Sequence, residues 1–289
     1  MDVKKIGVTA ILAASLMWSI EPILVKLAYG EADFLQTSAI RAFVVTIIAW
    51  SYAMLTNKGN VRVTTKQFSL LAYIALGGTI GGDLLYYYAL SKIAVINAVL
   101  IGHMQPIFIV LFGFFILKED KLSKYDYMGI LIMMVSCLLV TTKTGGNLAD
   151  INLGTKGDLL VLLATVVWAT AAIVMRKYLK ELNAGVVTFY RYIIASLVFA
   201  IYLLITSSIQ LSNTYQVLVG VVVGVGTICY YEGLKRIKAA QVSALELATP
   251  FFAALLGLLI LKEQVTIMQW TGIILLLVGI GLLSKKEEA

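Results

Sequence analysis

The chain has 289 residues, of which 60% are hydrophobic and only 13% are charged. A soluble domain carries about 25% charged residues, so a water-soluble globular fold is excluded and an integral membrane protein is expected. The formal charge of +7 is spread over the connections between apolar runs and is no sign of nucleic-acid binding.

Polar breaks cut the chain into ten apolar segments, at 6–28, 34–55, 68–90, 93–117, 125–142, 157–178, 185–206, 215–234, 239–261 and 265–284. At 1.5 Å per residue, such lengths suit a hydrocarbon core of about 30 Å. The runs are continuous rather than alternating, which predicts helices and not the strands of a barrel. No cleaved leader is expected, because Glu21 follows the first apolar stretch and the same pattern recurs along the chain.

A charge at the bilayer centre costs about 3 kcal/mol, so each one needs a partner or a task. In the first segment Trp18, Glu21 and Val25 share one helical face, Pro22 follows Glu21, and Lys26 closes the helix. Glu21 is expected to be a substrate or proton site, the alternative being a fixed salt bridge to Arg41 or Lys26. Arg41 lies about two turns inside the second segment. The third, GGTIGGDLLYYYAL, sets Asp83 one turn before Tyr86 and Tyr87. Its Gly77/Gly81 and Gly78/Gly82 pairs permit close helix contact. A carboxylate beside tyrosines can hold an ammonium through charge and ring faces; the alternative is an aspartate bonded to nearby hydroxyls.

The fourth segment holds His103, the only histidine, in GHMQP. It is expected to line a cavity or relay protons rather than bind a metal, with Gln105 a weaker cavity candidate. Pro106 frees the carbonyl of Gly102 and should kink the helix. The fifth and tenth segments carry Gly129 and Ser136, and Gly272 and Gly279, faces able to pack internally or between chains. The sixth has Trp168 and Arg176, and the seventh has Arg191. The eighth has Tyr231 and, near its end, Glu232, which can balance Lys235. Cys137 and Cys229 lie inside apolar runs and are expected to be buried thiols. In the ninth, Glu246 lies one turn before Pro250, a second predicted kink, with no cation in the segment before Lys262. Glu246 must protonate, pair with another helix or bind something cationic, which makes it the foremost site candidate.

With the N-terminus in the cytoplasm, 15 of the 23 basic residues fall on cytoplasmic segments and 4 on the opposite side. That asymmetry predicts both termini inside, in a cell membrane.

The chain also repeats itself. PIFIVLFGFFILKED (106–120) and PFFAALLGLLILKEQ (250–264) share 8 of 15 positions, and LYYYALSKIAVINAV (85–99) parallels ICYYEGLKRIKAAQV (228–242). LMWSIEPILVK (16–26) parallels VVWATAAIVMR (166–176), so Trp18 matches Trp168, Lys26 matches Arg176, and Arg41 matches Arg191 at the same offset of 150. Two five-helix units are implied, residues 1–145 and 154–289. An odd number of spans turns the second unit upside down, and inverted repeats are a signature of secondary transporters. In that frame Lys26, Arg41, Arg176 and Arg191 form matched pairs at two depths and are candidate gates, the alternative being snorkelling to headgroups.

The paired five-helix halves, the tryptophan near the start of each, and the Pro-to-LKE ending of the fourth and ninth helices resemble the drug/metabolite transporter superfamily, in its EamA branch. The resemblance covers the whole chain. It implies an all-α, ten-helix permease that moves small metabolites, often amino acids, by alternating access, with export the family's tendency. It implies no cofactor. Many members carry neutral residues where this chain has Glu21 and Glu246.

Intramembrane carboxylates with aromatic neighbours suggest a substrate bearing an amine. Trp18, Trp168, Tyr87 and Tyr231 are the aromatics expected near the cavity. Organic cations are the nearest alternative, and phosphorylated or nucleotide sugars fit less well. Protons are the candidate coupling ion. The partners expected are a small-molecule substrate and the bilayer, for a monomer or a homodimer. An enzyme is not expected, since no HExxH or phosphate loop occurs, and neither is a channel.

Overall fold

The computed structural model describes residues 3–112, 124–149, 154–179, 181–206, 211–236, 242, 245–246 and 248–283, and among them it contains helices, turns and no strands. In chain order the helices are α1 (Val3–Ala28), α2 (Phe34–Thr56), α3 (Thr65–Tyr73), a π-helical stretch (Ile74–Gly82) running into α4 (Asp83–Leu90), α5 (Val95–Gly102), α6 (Gln105–Phe112), α7 (Lys124–Thr142), the short α8 (Gly145–Ala149), α9 (Lys156–Val174) with a second π-helical stretch (Met175–Leu179), α10 (Ala184–Thr206), α11 (Thr214–Arg236), α12 (Ala248–Ile260) and α13 (Ile267–Leu283).

Six of these units are long and apolar enough to cross a membrane: Lys5–Ala28, Phe34–Thr56, Thr65–Leu90, Lys156–Leu179, Ala184–Thr206 and Thr214–Arg236. Val95–Ile109, Tyr127–Val140 and Ile267–Gly279 are shorter apolar helices.

Several helices start on a capping box, in which a side-chain oxygen accepts the N3 backbone N–H and the N3 side chain reaches back to the cap. Asp33 and Gln36 begin α2, Thr64 and Gln67 begin α3, and Thr155 and Asp158 begin α9. Thr266 and Gln269 exchange the same pair of bonds before α13.

The predicted kink at Pro106 takes the form of an interruption. α5 ends at Gly102, His103 and Met104 form a turn, and α6 starts at Gln105. A proline cannot bond back to the carbonyl four residues earlier, and it is tolerated in a first helical turn, where its missing N–H would be idle. Pro250 likewise sits in the first turn of α12. Pro22 stands inside α1, which continues past it.

The packing pairs α1 with α11 and α12, the π–α4 unit with α9, α2 with α10 and α11, α10 with the first π stretch, α9 with α5 and α6, α5 with α12, and α7 with α13. The small faces left open by the sequence pack internally. Ser136 Oγ donates to the Gly272 carbonyl at 2.7 Å, and a Cβ on Gly279 would meet the Gly129 carbonyl at 3.1 Å. Thr46 of α2 and Ser196 of α10, offset by 150, touch hydroxyl to hydroxyl at 3.1 Å. One large core links residues of α1, α2, α4, α5, α9, α10 and α11.

Candidate functional site

The site is built where α2 and α10 meet the third-helix unit. The sequence IALGGTIGG (Ile74–Gly82) winds as a π-helix, so Asp83 N–H donates to the Gly78 carbonyl five residues back. Such wide turns are rare and gather at functional sites. The glycines let α9 close in. A Cβ on Gly82 would stand 2.7 Å from Trp168 Nε1, and one on Gly78 would stand 3.4 Å from Ala171 Cβ. Gly77 has open space instead.

That approach presents the Trp168 indole N–H to Asp83 Oδ1 at 2.7 Å. The other oxygen, Oδ2, lies 3.0 Å from Arg41 Nη2 and 3.6 Å from Arg191 Nη2. Glu21 accepts from the Tyr87 hydroxyl at 2.6 Å and lies 3.9 Å from Arg41 Nη1. The Arg41 guanidinium stacks 4.4 Å from the Tyr87 ring centre and 5.7 Å from that of Tyr192, while Arg191 lies 5.3 Å from Tyr192. Arg191 also donates through Nε to Thr79 Oγ1 at 2.6 Å and through Nη1 to the Tyr231 hydroxyl at 3.3 Å. Arg41 is 2% exposed and the Asp83 side chain 7%. Arg41 and Asp83 are buried and Glu21 and Arg191 half-buried, so two cations face two anions, and the formal charges of the four ionised groups cancel.

The head groups of Arg41 and Arg191 therefore meet at one carboxylate oxygen. Each lies five residues before the Thr46–Ser196 contact, and the long arginine stem lets each head group reach Asp83. Their tyrosine partners follow the repeat as well: Arg41 lies on Tyr87, and Arg191 meets Tyr231. Trp168 packs on Tyr86 at 5.2 Å and Trp18 on Tyr230 at 5.0 Å. A Cβ on Gly226 would meet Trp18 Nε1 at 3.1 Å, as one on Gly82 would meet Trp168. The two carboxylates both belong to the first half.

The other candidates lie elsewhere. His103 Nδ1 pairs with the Val99 carbonyl of its own helix at 2.8 Å, and Gln105, half-buried, opens α6. Glu246 is half-buried; its neighbour Leu245 accepts from Ser15 Oγ at 3.3 Å, about two turns of α1 before Glu21. Lys26 lies within electrostatic range of Glu263. Glu232 forms its salt bridge with Arg236 and also lies within electrostatic range of Lys235. The side chains of Arg176 and Pro106 lie outside the described residues.

Two polar assemblies were missed in the sequence. Asn97, Asp158 and Gln269, all buried, form a chain: Asn97 Nδ2 donates to Asp158 at 3.0 Å, and Gln269 Nε2 donates to Asn97 at 2.7 Å. Glu263 accepts from the backbone N–H groups of Val95 at 2.8 Å and Ile96 at 3.2 Å, capping α5, whose own N-cap, Ala94, has no side-chain acceptor. Lys262, at φ 55°, turns the chain after α12 so that Glu263 reaches back. The TxxQ and TxxD spacings signalled the capping boxes, but no local pattern announces a cap delivered from 168 residues away.

Among the described residues, no group of three His, Cys, Asp or Glu side chains could hold a metal ion. What the cluster can do is exchange ionic partners: each charge is held by groups from different helices, so a charged solute can replace one of them.

The chain matches the EamA-like transporter family over residues 5–142 and again over 155–285. An uncharacterized transporter of Synechocystis is 28% identical over 233 residues, 75% of this chain and 66% of that protein. The pseudopaline exporter CntI of Pseudomonas aeruginosa is 23% identical over 200 residues, 68% of this chain and 66% of that one. A protein of known crystal structure superimposes with a TM-score of 0.68 at 18% identity, over 97% of this chain and 96% of the other, which makes the fold a shared one across the whole length. The chain is a multi-pass membrane protein that belongs to the EamA-like transporter family.

Proposed function

We propose that the protein is a secondary transporter working by alternating access, with ten membrane spans arranged as two inverted repeats, residues 1–145 and 154–289. Both termini lie on the cytoplasmic side of a cell membrane, a reading supported by the basic-residue asymmetry. Its substrate is a small amine-bearing metabolite, amino acids foremost, moved outward, with protons as the candidate coupling ion. The observation that carries this reading is the buried cluster itself: Arg41 and Arg191, matched residues of the two halves, converge on Asp83 beside Glu21. Intramembrane charges of this kind mark substrate and ion pathways.

The packing supports the repeat. Exchanging the halves turns α1 against α11 into α9 against the π–α4 unit, and leaves α2 against α10, α5 against α12 and α7 against α13 unchanged. A scaffold of that symmetry can expose one site to either side by equivalent motions. Export agrees with the activity for which the Pseudomonas relative is named. Within the site Glu21 and Asp83 hold the amine, with Trp168, Tyr87 and Tyr231 around them. Glu246, His103, Gln105 and Trp18 serve the path beside it, Lys26 and Arg176 the ends, and Pro106 and Pro250 the bends.

Counterflow in proteoliposomes tests the reading. Unlabelled substrate on one side should drive transient accumulation of labelled substrate, as a channel would not. Phosphorylated sugars are the second reading, favoured by the two guanidinium groups that meet at Asp83; counterflow with a sugar phosphate and not with any amine would establish it.

A further inference from the structure

The arginine pair is incompletely satisfied. Asp83 offers both guanidinium groups a single oxygen, Oδ2, because Oδ1 is held by Trp168. Among the described residues, Nε and Nη2 of Arg41 have no hydrogen-bond acceptor, although the side chain is 2% exposed. The 3.0 Å contact of Nη2 with Asp83 is thus an ion pair without hydrogen-bond alignment. A guanidinium binds a carboxylate best through two parallel N–H bonds, and buried donors left without acceptors are costly. The geometry calls for one more acidic group.

We propose that Arg41 and Arg191 form the carboxylate subsite of the transported solute, and that Asp83 is its resident stand-in. Resting on the transporter reading above, this narrows the substrate to zwitterions. The solute's carboxylate takes the Arg41 donors that Asp83 leaves unmet, and its ammonium takes Glu21 and the released face of Asp83. Charge balance carries the selectivity. With all four groups ionised the empty cluster has a formal charge of zero, and a zwitterion leaves it at zero. A bare amine leaves one buried positive charge, a bare acid one negative charge, and a phosphate dianion two. Tyr87 links the halves of the exchange, since its ring lies under Arg41 while its hydroxyl holds Glu21.

The test uses the full-length protein in detergent, with thermal unfolding recorded against the common α-amino acids, the decarboxylated amine of each, the N-acetyl derivative of each, and glucose 6-phosphate. At least one amino acid should stabilise the protein, and its amine and N-acetyl partners should need at least roughly tenfold higher concentration for the same shift. Arg191→Gln leaves the cluster with one net negative charge, so the amine should become at least as potent as the amino acid. Arg191→Lys, which keeps the charge and loses the fork, should keep part of the preference and serves if the first variant does not fold. An amine as potent as its amino acid in the unaltered protein overturns the subsite and leaves the amine transporter standing. An N-acetyl acid as potent as the amino acid overturns the zwitterion proposal, and with it the amine half of the earlier reading. Stabilisation by glucose 6-phosphate alone, or by no compound, overturns the proposal.

Discussion

Gly82→Ala and Gly226→Ala form a matched pair that separates packing from site chemistry. In both, the new methyl faces a tryptophan from the opposite half. At Gly82 it would stand 2.7 Å from Trp168 Nε1 and 2.8 Å from Cδ1. Comfortable separation is about 3.5 Å, so the indole must move by roughly 0.8 Å. Tyr86, 5.2 Å away, limits where the ring can go. A shift of that size takes the 2.7 Å bond to Asp83 out of range. Losing a hydrogen bond to a charged group costs about 1.5–3 kcal/mol, so Gly82→Ala should destabilise by about 2–3 kcal/mol with its packing strain included. It should cut transport by at least about tenfold, since 1.4 kcal/mol of lost site geometry is one factor of ten. At Gly226 the contacts are 3.1 Å to Trp18 Nε1 and 3.0 Å to Met17 Cβ, with no carboxylate bound to the indole among the described residues. That variant should cost less than about 1.5 kcal/mol and transport nearly normally. Trp168→Phe keeps a ring against Tyr86 and removes the N–H, so it should reproduce the transport loss with less strain. Thermal unfolding in detergent and initial rates in proteoliposomes read both effects. Equal transport losses in the two glycine variants, or wild-type transport in Trp168→Phe, would refute the reasoning.

Other expectations follow from the packing and the caps. Glu263→Ala strips the Val95 and Ile96 N–H groups of their acceptor and should lower stability by about 1–2 kcal/mol, visible as a lower Tm. Asp158→Ala strands the buried Asn97 amide and the Thr155 N–H; a loss of about 1–3 kcal/mol is expected by the same assay, with Asp158→Asn milder. Gly279→Leu would drive a side chain into Met133 Cγ and against the Gly129 carbonyl at 3.1 Å. Because backbone cannot step aside, it should cost at least about 3 kcal/mol, and a tolerated Leu would mean that α7 and α13 are not in contact. For topology, a membrane-impermeant maleimide should label Lys92→Cys in intact cells, and Lys58→Cys only after permeabilisation.

The helices were legible in the sequence because lipid demands continuous apolar runs. The segments 34–55 and 185–206 correspond to Phe34–Thr56 and Ala184–Thr206. The fourth was harder: 93–117 reads as one run, yet the helix is interrupted at His103 and Met104, since hydropathy is blind to a missing N–H. The π-helix before Asp83 was invisible for a related reason. Apolar content marks a span without distinguishing a bond to the residue four back from one to the residue five back.

The site was legible in its parts and not in its assembly. Glu21, Asp83, Arg41 and Arg191 stand out as charges in apolar surroundings, and the repeat pairs the two arginines. Inversion alone sends those arginines to opposite faces. Only the α2–α10 contact at Thr46 and Ser196, with the reach of two long side chains, brings them to one carboxylate. Glu246 illustrates the converse: a conspicuous charge in a bare apolar helix, next to residues that bind Ser15 rather than the cluster.

The most direct measurement is counterflow of a labelled amino acid, selected by the thermal-shift panel, into proteoliposomes holding the unaltered protein or Glu21→Gln. Glu21→Gln keeps size and hydrogen bonding to Tyr87 while removing the charge that faces the ammonium. The account predicts a transient overshoot with the unaltered protein and its loss in a variant that unfolds at nearly the same temperature. Undiminished counterflow in Glu21→Gln would contradict it.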